Sequence, residues 1–278
     1  MDLRERLVSD LPVSDRRLRL AGVSTAVVEG GDGPPIVFLQ GEFAAVWLRV
    51  IPELVATHRV VAADLPGLGA SEWTGDVLRW LDELIAHTCA EPPVLVGKGL
   101  GGALAARYAV AHDRLARLVL VDAQGLDRFR PPPAMALTFM SVLLRPTQRG
   151  LERSFRRYCF VDLDRVRDEM GEDYDRLVAY ALERFRTPSV KAAMRSLTKL
   201  LAPAIPESDL DGIAVPVTLI WGRHDVAAPV RIAEAAATRR GWALHVIEGA
   251  RDDPAIEQPD AFLEALRSAA CVPSASRR

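Results

Sequence analysis

The pentad Gly97-Lys98-Gly99-Leu100-Gly101 constrains this chain more than any other stretch. An apolar, strand-like run (PPVLVG, 92–97) leads in, and a helix-like run (GALAARYAVAHD, 102–113) leads out. A strand that becomes a helix within so few residues needs a sharp corner. The usual pattern at such a corner is G-x-S-x-G, with the turn presenting a reactive side chain. The apex is residue 99, itself a glycine, so the corner presents no side chain.

The rest of the chain continues the same alternation. Candidate strands lie at 16–22, 24–30, 35–41, 59–65, 93–97, 117–123, 217–222 and 243–249. The later ones are almost wholly apolar, as expected of parallel strands covered on both faces. Helical patterns fall between them, at 44–56, 76–89, 102–113, 229–240 and 259–270. This alternation predicts an α/β fold with a mostly parallel, doubly wound sheet of about eight strands. It breaks from 126 to 208, where apolar residues recur at helical spacing and no strand is evident. The expected organisation is a core from 1–125 and 209–278 with a helical lid inserted at 126–208.

A chain of 278 residues can bury a large core. Its net charge of −2 favours neither nucleic acid nor an anionic membrane as partner. Three scattered cysteines suggest a reducing compartment, and the charged start MDLRERLVSD lacks the apolar run of a secretory signal. A cytoplasmic location is expected, with oligomeric state left open.

Four motifs share a further likeness. LQGEFAAVW (39–47) resembles a strand end that supplies part of an oxyanion hole, and DLPGLGAS (64–71) resembles a D-x-P-G-x-G-x-S turn. GKGLGG (97–102) resembles a nucleophile elbow, and WGRHD (221–225) followed by Pro229 resembles the strand end that carries a triad acid. A fifth stretch, Arg251 to Pro259, lies in the register of G-H-x-P-x-x-E-x-P, with Pro254, Glu257 and Pro259 matching. Together they resemble the α/β-hydrolase superfamily over roughly 16–270. The resemblance implies a nucleophile at 99, an acid at 225 and a histidine at 252. The chain has Gly99, Asp225 and Asp252 there, and Arg251 in place of the usual glycine.

A triad needs a nucleophile, a base able to become cationic and an acid to orient it. Gly99 removes the first and Asp252 replaces the second. Two carboxylates brought together in a buried site would raise one another's pKa and could serve as general acid or base. The resemblance places the surviving oxyanion donors on the backbone of Leu100 and of Glu42 or Phe43. The helix that begins at the elbow adds its positive end. Gln40 replaces the usual histidine and reads as a loop organiser. Glu42 is a candidate proton donor if protonated.

Simpler readings stand beside these. Gly99 can mark lost activity on a retained fold. Asp252 can be a solvated loop residue beside Asp253, and Asp225 can cap local backbone N–H groups. Asp122 reads as structural, and Gly67, Gly69 and Ser71 as parts of a turn. Lys98 is expected to point away from the pocket, and Cys159 reads as a buried thiol. The five histidines lie off the motif edge or, like His224, in a filler position. No cofactor is implied, and neither WGRHD nor ARDD has zinc-ligand spacing.

The leading expectation is a non-hydrolytic enzyme of cyclase, lyase or isomerase type. It would act on a small apolar molecule, in a setting such as bacterial natural-product biosynthesis. The alternatives are a pseudo-hydrolase that binds a ligand or partner protein, and a hydrolase using carboxylate-activated water.

Overall fold

The computed structural model describes residues 2–40, 44–128 and 130–271. Its sheet has eight strands: β1 Ser14–Leu20, β2 Val23–Gly30, β3 Pro35–Gln40, β4 Arg59–Asp64, β5 Val94–Lys98, β6 Arg117–Val121, β7 Val217–Gly222 and β8 Ala243–Ile247. The order is β1-β2-β4-β3-β5-β6-β7-β8. Only β1–β2 and β2–β4 pair antiparallel, and the remaining pairs are parallel. The α/β-hydrolase fold expected from the sequence is the fold observed.

Alternate residues of each inner strand feed opposite cores, because successive side chains on a strand point to opposite faces. Val94, Val96, Val119 and Val121 join Trp47, Phe262 and Ile256 on one face. Leu95, Leu118 and Leu120 join Trp80, Leu104 and Tyr108 on the other.

The helices, in chain order, begin with α1 Leu3–Val8, α2 Ile51–Leu54, α3 Val77–Thr88 and α4 Leu100–Ala111. Six more separate β6 from β7: α5 Pro133–Leu144, α6 Gln148–Ser154, α7 Leu163–Met170, α8 Glu172–Arg186, α9 Pro188–Leu201 and α10 Glu207–Asp211. The chain closes with α11 Arg231–Arg240, α12 Pro254–Glu257 and α13 Pro259–Cys271.

Two local expectations need correction. The helix expected at 44–56 is broken into a 3-10 turn, Ala44–Trp47, and the short α2. Pro52 sits in the first turn of α2, where a missing N–H costs nothing, but it cannot continue a helix from the preceding turn. The N-terminus also carries a helix that periodicity alone did not suggest. Its signal is a capping box: the Asp2 side chain accepts from Glu5 N and the Glu5 side chain accepts from Asp2 N.

The turn at 64–71 is structural, as expected. Asp64 Oδ2 accepts from Ala70 N at 2.8 Å and from the Arg4 guanidinium. Ser71 Oγ donates to Asp64 O at 2.8 Å and accepts from Ala26 N at 2.9 Å.

Candidate functional site

Strand β5 ends at Lys98, and α4 begins at Leu100. Gly99 turns between them with φ 53° and ψ −118°, a conformation that side chains with a Cβ rarely adopt. The corner is pinned from both sides. Gly99 N donates to Val121 O at 3.2 Å, and Gly99 O accepts from Gln124 N at 3.1 Å. The close strand–helix approach explains Gly102, where a Cβ would lie 2.5 Å from that of Ala123. Gly99 differs: a Cβ there would meet nothing within 4 Å. The corner therefore keeps the geometry of an elbow and opens onto space.

That space is a cavity of about 260 Å³. Its walls are apolar and come largely from the inserted helices: Met135, Phe139, Val142 and Leu143 of α5, Phe185 of α8 and Met194 of α9. Its floor is polar and comes from the sheet edge: Lys98, Gly99, Leu100, Gln124, Ala227 and Asp252. Leu100 is the first residue of α4, so its backbone N–H has no acceptor within the helix and marks the positive end of the helix dipole.

The floor carries one cation among several carboxyl groups. Lys98 Nζ lies 3.3 Å from Asp252 Oδ2 and 3.0 Å from Asp253 Oδ1. Its side chain is only 7% exposed and that of Asp253 9%, whereas that of Asp252 is 23% exposed and reaches the cavity. Asp225, at the turn after β7, accepts at Oδ1 from Ala227 N (2.7 Å) and Ala228 N (3.1 Å). Asp122 follows β6 with φ 41° and accepts at Oδ1 from Gly222 N at 2.9 Å. The second oxygen of each, Oδ2, is buried without a hydrogen-bond partner among the described residues.

Burial first, and the charge of Asp252 after it, push Asp225 well above the usual carboxylate range. Asp122 rises for the same first reason, reinforced by Asp225 and Asp252. Asp253 is pushed up to about 6 by burial, with Lys98 opposing and Asp252 adding to the rise. The group therefore sets the Lys98 ammonium between Asp252 and Asp253, beside the Asp122 and Asp225 carboxyls that burial pushes toward the protonated form.

Three expectations change here. Lys98 does not point away from the pocket, because the strand parity it shares with Val96 aims it at the 252–257 loop. Asp253 is a buried partner of Lys98 and not part of a solvated loop. Asp122 belongs to the same electrostatic group as Asp225 and Asp252. Asp225 caps local backbone N–H groups and is also brought near Asp252. Glu42 and Phe43 lie outside the described residues, as does the side chain of Gln40. Among the described residues no histidine lines the cavity.

The inserted segment is fastened to this edge by the 251–257 loop. Arg251 Nη1 donates to the carbonyls of Arg156 (3.0 Å) and Arg157 (2.8 Å). Glu257 accepts from Val161 N at Oε1 and from Arg251 N at Oε2, both at 2.6 Å. Burial pushes the Glu257 carboxyl up to about 7. These contacts bring Cys159 beside the floor. Its Sγ and oxygens of Asp252 and Asp253 lie within 4.8 Å of one another and could offer three ligand atoms to a metal ion. Lys98 already sets a positive charge against both carboxylates.

Comparison with known proteins shows the family of the chain. A pimeloyl-[acyl-carrier protein] methyl ester esterase of Aeromonas hydrophila is 28% identical over 256 residues, covering 88% of this chain and 98% of the relative. A 2-hydroxymuconate semialdehyde hydrolase of a Pseudomonas species is 33% identical over 129 residues, covering 42% of this chain and 46% of the relative. Among solved structures, the 2-hydroxy-6-oxo-6-phenylhexa-2,4-dienoate hydrolase of a Rhodococcus species superposes with TM-score 0.80 at 21% identity, covering 94% of this chain and 99% of the other. A Bacillus subtilis carboxylesterase gives 0.81 at 19%, covering 97% and 96%. Residues 36–265 match the model of the alpha/beta hydrolase family, and the chain belongs to that family.

Proposed function

We propose that this protein is a non-hydrolytic enzyme of cyclase, lyase or isomerase type, acting on a small, mainly apolar organic molecule. The observation that carries the reading is the Lys98–Asp252 ion pair on the floor of an apolar cavity, beneath an elbow that has no side chain. Positions 99, 225 and 252 are read as a hydrolase triad without its nucleophile and imidazole. The segment 126–208 acts as the lid that excludes water.

The substrate's apolar body packs against Met135, Phe139 and Phe185, and its carbonyl meets the floor. Asp252 removes a proton next to that carbonyl. The enolate oxygen is held by the Leu100 N–H, by the positive end of α4 and by the Lys98 ammonium. Asp252 then returns the proton at another carbon, or the enolate expels a leaving group or closes a ring. No covalent intermediate is required. Burial pushes the Asp225 and Asp122 carboxyls well above the usual carboxylate range, which lessens the negative charge beside Asp252.

A second reading keeps hydrolysis, with Asp252 activating a water. The named activities of the curated relatives favour it, as does the partial exposure of Asp252.

The test compares metabolites from a strain lacking this gene, complemented with wild type or Asp252→Ala. A precursor cleared only by wild type supports catalysis at Asp252, and the mass difference names the reaction. Gain of one water would select the hydrolytic reading. Equal clearance by Asp252→Ala would remove this edge as the working site, and equal profiles in all strains would favour a ligand-binding pseudo-hydrolase.

A further inference from the structure

Helix α5 is apolar on both sides. Its inner residues Met135, Phe139, Val142 and Leu143 line the cavity. On its outer side Leu137, Met140 and Leu144 are 72%, 53% and 71% exposed. Their spacing, three and then four residues, makes one stripe along a helix. None of the twelve residues of α5 is charged. Three large aliphatic side chains in water on one helix face are costly unless something covers them.

The surroundings of that stripe are strongly basic. From 128 to 157 the chain carries seven arginines against the single Glu152, in a protein of net charge −2; Asp127 adjoins the run and Arg156 pairs with Asp164 beyond it. Arg128 and Arg130 precede α5, and Arg145 and Arg149 follow it; all four are exposed. Among the described residues none of the four pairs with a carboxylate. Arg186 adds a further exposed guanidinium at the α5–α6 turn, where it donates to Pro146 O at 3.4 Å. The near-neutral total that argues against a membrane partner averages this patch away.

We infer that the outer face of α5 is a docking surface for an anionic lipid bilayer. An uncharged helix with cations at both ends suits a membrane interface. Its apolar side enters the acyl boundary while the arginines reach outward to lipid phosphates. Twelve residues extend about 18 Å, enough to lie in the interface and too short to cross it. Among the described residues no helix is long and apolar enough to cross a membrane, so attachment is peripheral. The same helix walls the cavity with its inner side, so an apolar ligand leaving the bilayer has one helix thickness to pass. An acidic protein would satisfy the arginines but would leave the aliphatic stripe to be matched separately. The inference rests on α5 and its flanks and stands whatever the cavity does.

Flotation of the full chain with vesicles tests it. Phosphatidylcholine vesicles with and without phosphatidylglycerol are compared at low and high salt. The expected result is binding to the anionic vesicles alone, weakened by salt. Leu137→Asp/Leu144→Asp and, separately, Arg145→Glu/Arg149→Glu should each weaken it by about tenfold or more. Circular dichroism of both variants checks that they fold, and the two act on different parts of the surface, so loss of one protein leaves the other informative. No binding, binding indifferent to lipid charge, or unchanged binding by both folded variants overturns the proposal. Salt-sensitive binding to polyglutamate without binding to vesicles also overturns it, in favour of an acidic protein partner.

Discussion

Replacing Lys98 by methionine should cost stability in a way that depends on pH. The substitution keeps the chain length and removes the charge that lies 3.0 Å from Asp253 and 3.3 Å from Asp252. At an effective dielectric near 20, each contact contributes roughly 5 kcal/mol of gross attraction, before desolvation is counted. Removing one partner of a buried pair typically costs about 3–5 kcal/mol net, because the other charge is left uncompensated. That loss is expected near pH 8. Asp253 has its folded pKa raised to about 6 from 3.8, so the native protein holds a proton that the unfolded chain releases between those values. Stability conferred by this group is complete below the unfolded value and falls as pH rises through the folded one. Without Lys98 the folded value climbs further, and the decline extends to higher pH. Around pH 5 Asp253 is protonated in both proteins, so the cost of Lys98→Met should shrink to about 1–2 kcal/mol. Urea unfolding followed by tryptophan fluorescence at the two pH values measures both. Equal losses at both, or a loss below about 1 kcal/mol near pH 8, would refute the reasoning. Adding Asp253→Asn should recover a large part of the loss near pH 8 and little near pH 5.

Three further outcomes follow from named contacts. Gly99→Ser should fold, since a Cβ there meets no atom within 4 Å, but lose about 1–3 kcal/mol to its left-handed backbone. A fluorophosphonate probe should not label it, because no described histidine lines the cavity. Glu257→Gln should flatten the fall in stability between about pH 4.5 and 7, since the amide does not titrate, and should cost about 1–2 kcal/mol throughout because its NH2 faces one of two N–H donors; denaturant midpoints across that range test it. Arg251→Ala should cost about 1–2 kcal/mol and speed proteolysis near 156–161, because two carbonyls lose their donor.

Most of the fold is legible in the sequence because buried parallel strands are short apolar runs. All eight strands are found within a few residues of their expected positions. The helix expected at 44–56 was overread, although Pro52 signalled that a helix could not continue from the preceding turn. The D-x-x-E signature of α1 was available but lies in a segment too short for periodicity to register. The site was less legible. Motif register singles out Asp252 and Asp225 as candidates, and the structure brings them close enough for the charge of one to act on the other. Lys98 was misread, although strand alternation held the answer. It shares parity with Val94 and Val96, whose face carries Ala255 and Ile256 of the 252–257 loop. Cys159 is buried, as its sequence reading had it, but its place beside the floor was not legible. It arrives beside Asp252 through contacts between segments about ninety residues apart, which no local pattern encodes.

The fastening by Arg251 and Glu257 also couples the inserted helices to the floor of the cavity. The middle of the inserted segment is riveted at Arg156, Arg157 and Val161, with Arg165 Nη2 adding a bond to Glu257 O at 2.9 Å. The α5–α6 hairpin has no comparable rivet to that loop among the described contacts. Cys159 and the carboxylates of Asp252 and Asp253 thus share one anchored seam, and a change at Arg251 or Glu257 reaches the inserted helices and the cavity floor together.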